Sequence, residues 1–138
     1  MVWITADLTE NTRVELTNGR HTWNADEPLE KEGEDTGPTP YELLLGSLAA
    51  CTLITLQLYA RHKGISLGRV TARYEHEKQD DVDEAGKKQT VDVLTSHVEI
   101  EGEYTDAQRE RLAQIVSRCP VHKTIEKGSR VVDRVEFV

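Results

Sequence analysis

Basic residues are scarce in this chain: 17 lysines and arginines stand against 25 aspartates and glutamates, for a formal net charge of -8. A nucleic-acid partner needs a basic patch that neutralises phosphates, so this balance argues against one. An anionic membrane surface is disfavoured for the same reason. The longest apolar stretch is interrupted by Ser, Thr and Gln and falls short of the roughly 20 apolar residues of a membrane span. We therefore expect neither nucleic acid nor a membrane as a partner.

Cysteine is also scarce, with only Cys51 and Cys119. The N-terminal sequence MVWITADLTE lacks the basic and apolar regions of a secretion signal, which predicts a cytoplasmic protein. In that reducing compartment two cysteines are more often reactive or inert thiols than a structural disulfide. The histidines at 62, 76 and 97 have no metal-ligand spacing, and no phosphate loop or nucleophile elbow is present. The sequence predicts no metal and no cofactor.

The first part of the chain reads as three short strands. They are separated by turn clusters at residues 9 to 12 and 17 to 20. The Asn18-Gly19 pair predicts a type I′ hairpin turn in the second cluster. Residues 26 to 36 are acidic and predict an irregular loop, either a solvated surface run or a lid over a site.

The stretch from Gly37 to Gly64 predicts one long helix. Thr39, Pro40 and Glu42 form a capping box with proline at the first helical position. Gly64 supplies the left-handed residue that follows a helix C-terminus. Leucine and isoleucine side chains occupy most of the circumference between these caps, so we predict a core helix buried on several sides.

Two strands follow the long helix. Alternation of apolar and polar residues predicts a strand over residues 69 to 78, and residues 90 to 104 return as a second strand after a charged loop over residues 79 to 89. The apolar positions of the second strand change parity between Val93 and Leu94, which predicts a bulge there.

Two helical segments and a strand complete the chain. Thr105 and Gln108 form another capping box, and Pro120 opens a shorter helical turn. Residues 130 to 138 alternate as a last strand. Strands and helices are grouped rather than alternating, and no linker or repeat divides them. The sequence therefore predicts a single α+β domain over residues 1–138, with mainly antiparallel sheets packed on a long central helix. The helix that the Thr105 and Gln108 capping box opens should face inward through Leu112, Ile115 and Val116.

Cys119 directly precedes the proline that opens the last helical turn. Its sulfur is then close to free backbone N–H groups at the positive end of a helix, which favours a thiolate. His122 is three residues further on and within reach of the same sulfur. The alternative is a cysteine that fills space in a short capped turn.

Cys51 lies in the middle of the long helix and has no helix terminus to stabilise a thiolate. A cation must come from elsewhere, and the candidates are Arg13 and the better placed Arg20; otherwise both are surface arginines and Cys51 is a packing residue. Glu42 precedes Cys51 by nine residues, on the opposite helix face and about 13 Å away. Glu42 therefore orients an arginine toward Cys51 only if the helix bends near Gly46 or a partner subunit contributes, and otherwise only caps the helix.

The segments GPTPYELLLGSLAACT, residues 37 to 52, and CPVHKTI, residues 119 to 125, resemble the OsmC/Ohr family of osmotically inducible and organic hydroperoxide resistance proteins. The order of elements fits along essentially the whole chain, and the NADEP segment is closer to the general OsmC-like branch. The resemblance implies an intertwined homodimer with its long helices packed centrally and two sites at the interface.

The resemblance also implies an activity. Family members studied as enzymes are thiol peroxidases acting on organic hydroperoxides; Cys51 matches their peroxidatic cysteine and Cys119 their resolving one. The family uses an N-terminal arginine and a glutamate directly after the proline that starts the helix. Here Tyr41 takes that place and Glu42 follows it.

These expectations make the chain a thiol peroxidase that an external dithiol regenerates. The apolar helix faces near Cys51 favour organic hydroperoxides over hydrogen peroxide. The alternative is a non-catalytic OsmC-like dimer that binds a small apolar ligand with both thiols inert. A purely structural or regulatory dimer is a more distant third possibility.

Overall fold

The computed structural model describes residues 1–6 and 11–138, so the turn predicted at residues 9 to 12 lies partly outside the described residues. The elements follow in the order β1 (Trp3–Thr5), β2 (Val14–Thr17), β3 (Thr22–Ala25), a short 3-10 helix (Leu29–Lys31), α1 (Pro40–Lys63), β4 (Val70–Val82), β5 (Lys88–Ile100), α2 (Asp106–Val116) and α3 (Pro120–Lys127). Helices and paired strands in this order confirm the α+β prediction.

The chain forms two compact units. The first comprises residues 1–46 and 75–95, and the second comprises residues 47–74 and 96–138. Helix α1 and strands β4 and β5 contribute residues to both units. A single domain over the whole chain stays a prediction.

The first unit contains the three-stranded antiparallel sheet β1-β2-β3. The hairpin between β2 and β3 corrects the predicted type I′ turn. Positive φ is found at Gly19, +88°, and not at Asn18, whereas a type I′ turn needs it at both of its central residues. Asn18 instead accepts hydrogen bonds from the backbone N–H groups of Arg20 and His21 through its side chain. The glycine is therefore the first central residue of the turn, as in type II′.

The acidic segment before α1 is more ordered than predicted. It contains the 3-10 helix, and Glu32 closes it in the left-handed conformation, φ +65°. Asp26 is 2% exposed, and its carboxylate accepts hydrogen bonds from the hydroxyls of Thr12 and Thr36 and from three backbone N–H groups, those of residues 27, 34 and 36. A buried carboxylate thus organises the loop.

Helix α1 has the predicted ends. The Glu42 carboxylate accepts from the Thr39 backbone N–H at 2.8 Å, the Thr39 hydroxyl accepts from the Glu42 backbone N–H at 3.3 Å, and Gly64 has φ +66°. Together these contacts form the predicted capping box, and the helix ends at Lys63, before the predicted glycine.

The predicted burial of α1 on several sides is wrong for the single chain. Its buried residues form one stripe at intervals of four, Leu48, Thr52, Leu56 and Ala60. Ile54 and Leu58 are 55% and 57% exposed. The described chain supplies a packing surface for one face only, so the other apolar faces are left uncovered. By length and composition alone α1 would suffice to span a membrane, a property that core helices of soluble proteins share.

Strands β4 and β5 pair in a two-stranded sheet. β4 extends beyond its predicted end at residue 78 and β5 begins before its predicted start at residue 90, so the connecting turn is confined to residues 83 to 87; β5 ends at Ile100, short of the predicted residue 104. Asp83 shortens the loop because its carboxylate accepts from the backbone N–H groups of Ala85 and Lys87. The alternation predicted for β4 is present. The less exposed positions of β5 change parity between Val93 and Leu94, and the bulge expected there stays a prediction.

Helices α2 and α3 belong to the second unit. The Thr105 and Gln108 capping box is formed, and the predicted inward residues Leu112 and Ile115 are buried. They make the core together with Leu56 of α1, and Val116 packs against it.

The strand predicted over residues 130 to 138 is not formed. This segment has no regular structure in the described chain, and its apolar side chains are exposed, with Phe137 at 98%. A strand needs a neighbouring strand to pair its backbone groups, and the single chain provides none for this segment.

Candidate functional site

Cys119 is fully buried and is the N-cap of α3, as predicted. Its sulfur accepts a hydrogen bond from the His122 backbone N–H at 3.2 Å. Pro120 occupies the first turn of the helix, where its missing N–H costs no hydrogen bond. The sulfur therefore lies at the positive end of a helix dipole, an environment that favours a negative charge.

Thr52 is the second polar neighbour of that sulfur, and the sequence analysis missed it. Its hydroxyl oxygen lies 3.6 Å from Cys119 Sγ, and the residue is 1% exposed. The sequence signal that could have identified it is its place on α1, where Thr52 is the polar member of the buried stripe. A polar residue on a buried helix face needs a hydrogen-bond partner, and here the partner is a thiol.

Cys51 directly precedes Thr52, about 100° away around the helix, and is not one of the buried stripe residues. It is partly exposed and is a free thiol, as is Cys119. Residues three and four apart share a helix face, so Cys51 lies on the same face as the exposed Ile54 and Leu58. Within the described residues the Cys51 sulfur makes no hydrogen bond, while its backbone carbonyl accepts from the Thr55 hydroxyl at 2.7 Å. The thiol that would react is therefore on the uncovered side of the helix.

His122 contributes its backbone to Cys119 and not, in this arrangement, its ring. Its Nδ1 atom is 3.7 Å from a carboxylate oxygen of Glu126, and this buried nitrogen has no hydrogen-bond partner within the described residues. The pair is one helical turn apart on α3, which places the two side chains on the same helix face.

The other predicted activating residues belong to the first unit. Arg20 lies exposed in the hairpin turn, and no ion pair is formed by its guanidinium in the part of the chain that is described. Arg13 is exposed in the same unit, with its backbone N–H donated to the Asn11 side chain. Glu42 is exposed and caps α1, which is the alternative role weighed for it. Cys51, Cys119 and His122 all belong to the second unit.

Tyr41, which takes the place of the expected glutamate, belongs to a second cluster of polar side chains. The Tyr41 ring stacks on the His76 imidazole, with ring centroids 4.2 Å apart and planes 8° from parallel. His76 Nε2 is 2.7 Å from a carboxylate oxygen of Asp92, and the ammonium of Lys78 is 3.3 Å from the same oxygen. The hydrogen bond from His76, and then that from Lys78, holds the pKa of the Asp92 carboxyl below its ordinary value.

A shallow cavity of about 470 Å³ lies beside α2 in the second unit. Val98, Ile100 and Leu112 are among its apolar lining residues, and Tyr104 and Arg109 add polar groups. Such a combination can accept a small, largely apolar molecule. No group of three or more His, Cys, Asp or Glu side chains in the described residues is arranged to hold a metal ion.

Comparison with known proteins supplies an independent finding. The family model for OsmC-like protein matches residues 33–132, well over half of the chain. The match includes both cysteines, α1, β4, β5, α2 and α3. No curated protein matches the chain significantly.

Solved structures give the same result at the level of the fold. An OsmC-like protein from Mycoplasma pneumoniae is 25% identical, with 91% of this chain and 87% of that one covered and a TM-score of 0.69. An organic hydroperoxide resistance protein OsmC from Legionella pneumophila is 25% identical, with 91% and 88% covered and a TM-score of 0.59. An organic hydroperoxide resistance protein from Elizabethkingia anophelis is 22% identical, with 90% and 87% covered and a TM-score of 0.57.

Proposed function

The chain belongs to the OsmC-like protein family, and on that premise we propose that it is a thiol peroxidase that reduces organic hydroperoxides through Cys51 and Cys119. One observation carries the proposal. The buried sulfur of Cys119 accepts an N–H at a helix N-terminus and touches the residue that follows Cys51. The matched relatives named for organic hydroperoxide resistance support the same activity.

The proposed reaction begins at Cys51. Its thiolate attacks the distal oxygen of the hydroperoxide, the O–O bond breaks, and an alcohol leaves after taking up a proton, so that Cys51 becomes a sulfenic acid. Cys119 then condenses with it to a disulfide and releases water. An external dithiol reduces the disulfide and restores both thiols. The chemistry needs no metal and no organic cofactor.

The exposed face of α1 supports a homodimer as the working unit. Cys51 shares that face with two exposed apolar residues, Ile54 and Leu58, and a second subunit would enclose all three. An enclosed apolar site favours organic hydroperoxides over hydrogen peroxide. The proposal also needs a cation beside the Cys51 thiolate: Arg20 is the candidate, with Glu42 to orient it and His122 to support Cys119. We propose that the dimer acts in the cytoplasm, without nucleic acid or a membrane.

A steady-state assay with cumene hydroperoxide and dithiothreitol tests the proposal. Wild-type protein should reduce the hydroperoxide continuously, and Cys51→Ser should abolish this turnover. Cys119→Ser should consume one peroxide per chain and then stop, unless dithiothreitol reduces the oxidised Cys51 directly. Mass spectrometry of the wild type after peroxide should show a disulfide between residues 51 and 119. Turnover that persists in the Cys51→Ser variant would remove this mechanism.

The cavity beside α2 favours a second candidate function. In that case the protein is a non-catalytic dimer that binds a small apolar ligand, and both thiols are inert. Thiol titration after peroxide separates the two functions. Loss of two thiols per chain supports the peroxidase. Loss of none, together with binding of an apolar fluorescent probe that Ala113→Trp abolishes by filling the cavity, supports the binding protein.

A further inference from the structure

Thr52 and Cys119 form a buried pair whose protons cannot all be satisfied while the cysteine is a thiol. The hydroxyl and the thiol carry two protons, and the single 3.6 Å contact between oxygen and sulfur uses only one. Both residues are almost completely buried, and neither side chain has another hydrogen-bond acceptor among the described residues. Because S–H is the weaker donor, the pair is best satisfied when the Thr52 hydroxyl donates to the sulfur and the thiol proton is the one without a partner.

Loss of the thiol proton resolves this mismatch. The Thr52 hydroxyl then donates to the sulfur, which also accepts from the His122 backbone N–H. Hydrogen bonds to an ionised acceptor are about twice as strong as those between neutral groups. When Cys119 gives up its proton in the resolving step, both hydrogen bonds go to the thiolate, the form that attacks another sulfur.

We propose that Thr52 is a positioning residue for the resolving step, an inference that rests on the proposed peroxidase function. Its hydroxyl donates to the Cys119 sulfur and holds the thiolate one residue away from Cys51. Threonine suits this task because its branched side chain is restricted mainly to two rotamers in a helix, which limits the directions that the hydroxyl can take. Cys119 is the hydrogen-bond partner of the Thr52 hydroxyl among the described residues, so the attack of Cys51 on peroxide should be unchanged without it.

The step that Thr52 supports is a thiol condensation driven by the organic hydroperoxide that oxidised Cys51. The Cys119 thiolate attacks the sulfur of the Cys51 sulfenic acid, the S–S bond forms, and the S–O bond breaks. Hydroxide leaves and takes up the proton that Cys119 released, so that water is the product. The Cys51 sulfur is reduced and the Cys119 sulfur is oxidised in the same step.

Single-turnover kinetics with cumene hydroperoxide test the assignment. In Thr52→Val the disulfide should form about tenfold more slowly than in wild type, and more Cys51 sulfenic acid should be trapped by dimedone. Thr52→Ser keeps the hydroxyl and should restore most of the rate. Thr124→Val is the matched control, because the Thr124 hydroxyl donates to a carbonyl within α3 and does not touch Cys119. The rate of peroxide consumption should be the same in wild type and in all three variants.

A wild-type rate of disulfide formation in Thr52→Val would overturn the assignment; if that variant does not fold, Thr52→Ala is measured against Thr52→Ser instead. Failure of the peroxidase itself is recognised separately, because wild-type protein would then lose no thiols with peroxide. In that event the Cys51→Ser background leaves Cys119 as the sole thiol. Adding Thr52→Val should slow the reaction of the Cys119 thiol with an aromatic disulfide reagent, and an unchanged rate would again overturn the role of Thr52.

Discussion

The carboxylate of Asp26 accepts a 2.6 Å hydrogen bond from the hydroxyl of Thr36, ten residues further along the chain. This bond, the matching one from Thr12 and those from nearby backbone N–H groups hold the pKa of the Asp26 carboxyl well below its usual range. The ionised carboxylate therefore links Thr12, shortly before β2, to Thr36 at the end of the acidic loop. The loop is anchored by an anion that is shielded from solvent.

We predict that Asp26→Asn lowers the thermal unfolding midpoint by about 5 °C or more. An asparagine places an NH2 group or a neutral oxygen where N–H donors converge, so at least one buried donor loses its acceptor. Differential scanning calorimetry at neutral pH measures the change. Asp35→Asn is the matched control, because it removes a charge from the same loop at a side chain that takes no part in the Asp26 contacts. An equal effect of both variants would contradict the prediction.

The same carboxylate predicts a pH dependence. The pKa of Asp26 is depressed in the folded state, so its stabilisation is fully present above the ordinary aspartate pKa of about 3.9 and is lost as the pH falls below it toward the folded value. The midpoint of wild-type protein should therefore decrease more steeply on acidification below about pH 4 than that of Asp26→Asn. Parallel curves for the two proteins would show that Asp26 does not couple protonation to folding.

His76 and Asp92 give a second electrostatic prediction. The hydrogen bond from His76 is the leading cause of the lowered Asp92 pKa, followed by that from Lys78. His76→Gln should therefore raise the pKa of Asp92 more than Lys78→Met does. Carboxyl chemical shifts measured by NMR against pH give both values directly. The prediction is wrong if Lys78→Met has the larger effect.

Local sequence signals were sufficient for the helix ends and for Cys119. The capping boxes at Thr39 and Thr105 and the cysteine before Pro120 each depend on residues three or four apart, which one turn of helix brings together. The strand alternation from Val70 to His76 is local in the same sense. Such patterns can be read before any tertiary contact is known.

Contacts between distant residues could not be read in that way. Asp26 binds hydroxyls ten and fourteen residues away, and Thr52 meets a sulfur 67 residues later. No periodicity links these partners. The predicted burial of α1 on several sides and the predicted strand over residues 130 to 138 were wrong for another reason. Both need a packing or pairing surface that the described single chain does not supply. The apolar residues in these two segments predict that they pack against another surface, but they do not specify which chain provides that surface.

The cap of α1 allows the two roles of Glu42 to be separated. Thr39→Ala should lower the free energy of unfolding by about 1 kcal/mol, because the Glu42 backbone N–H loses its acceptor. Glu42→Gln retains an oxygen acceptor for the Thr39 N–H and should change stability by less than about 0.5 kcal/mol. If Glu42 orients the activating arginine, the same variant should nevertheless reduce peroxidase turnover. Urea unfolding and the hydroperoxide assay measure the two effects, and a full-rate, fully stable Glu42→Gln would leave Glu42 as a cap alone.

The exposed face of α1 predicts the oligomeric state. Ile54 and Leu58 are one helical turn apart and a little more than half exposed, and burial of the remaining exposed area of both contributes about 1.5 to 3 kcal/mol per subunit. A chain of 15.6 kDa should therefore elute as a dimer in size-exclusion chromatography with light scattering. The double variant Ile54→Lys with Leu58→Lys should be monomeric at micromolar concentration, because two buried lysines would remain unpaired.

The matched control for this interface is Ile54→Leu with Leu58→Met, which keeps the face apolar and should stay dimeric. Deletion of residues 130 to 138, whose apolar side chains are also exposed, provides a second measurement and should weaken the dimer if a second subunit covers this segment. If a second subunit encloses Cys51, the monomeric lysine variant should also lose peroxidase turnover while retaining its helical content by circular dichroism. A monomeric wild type with full activity would contradict both the dimer and the enclosure of Cys51, because the thiol would then react on an open helix face.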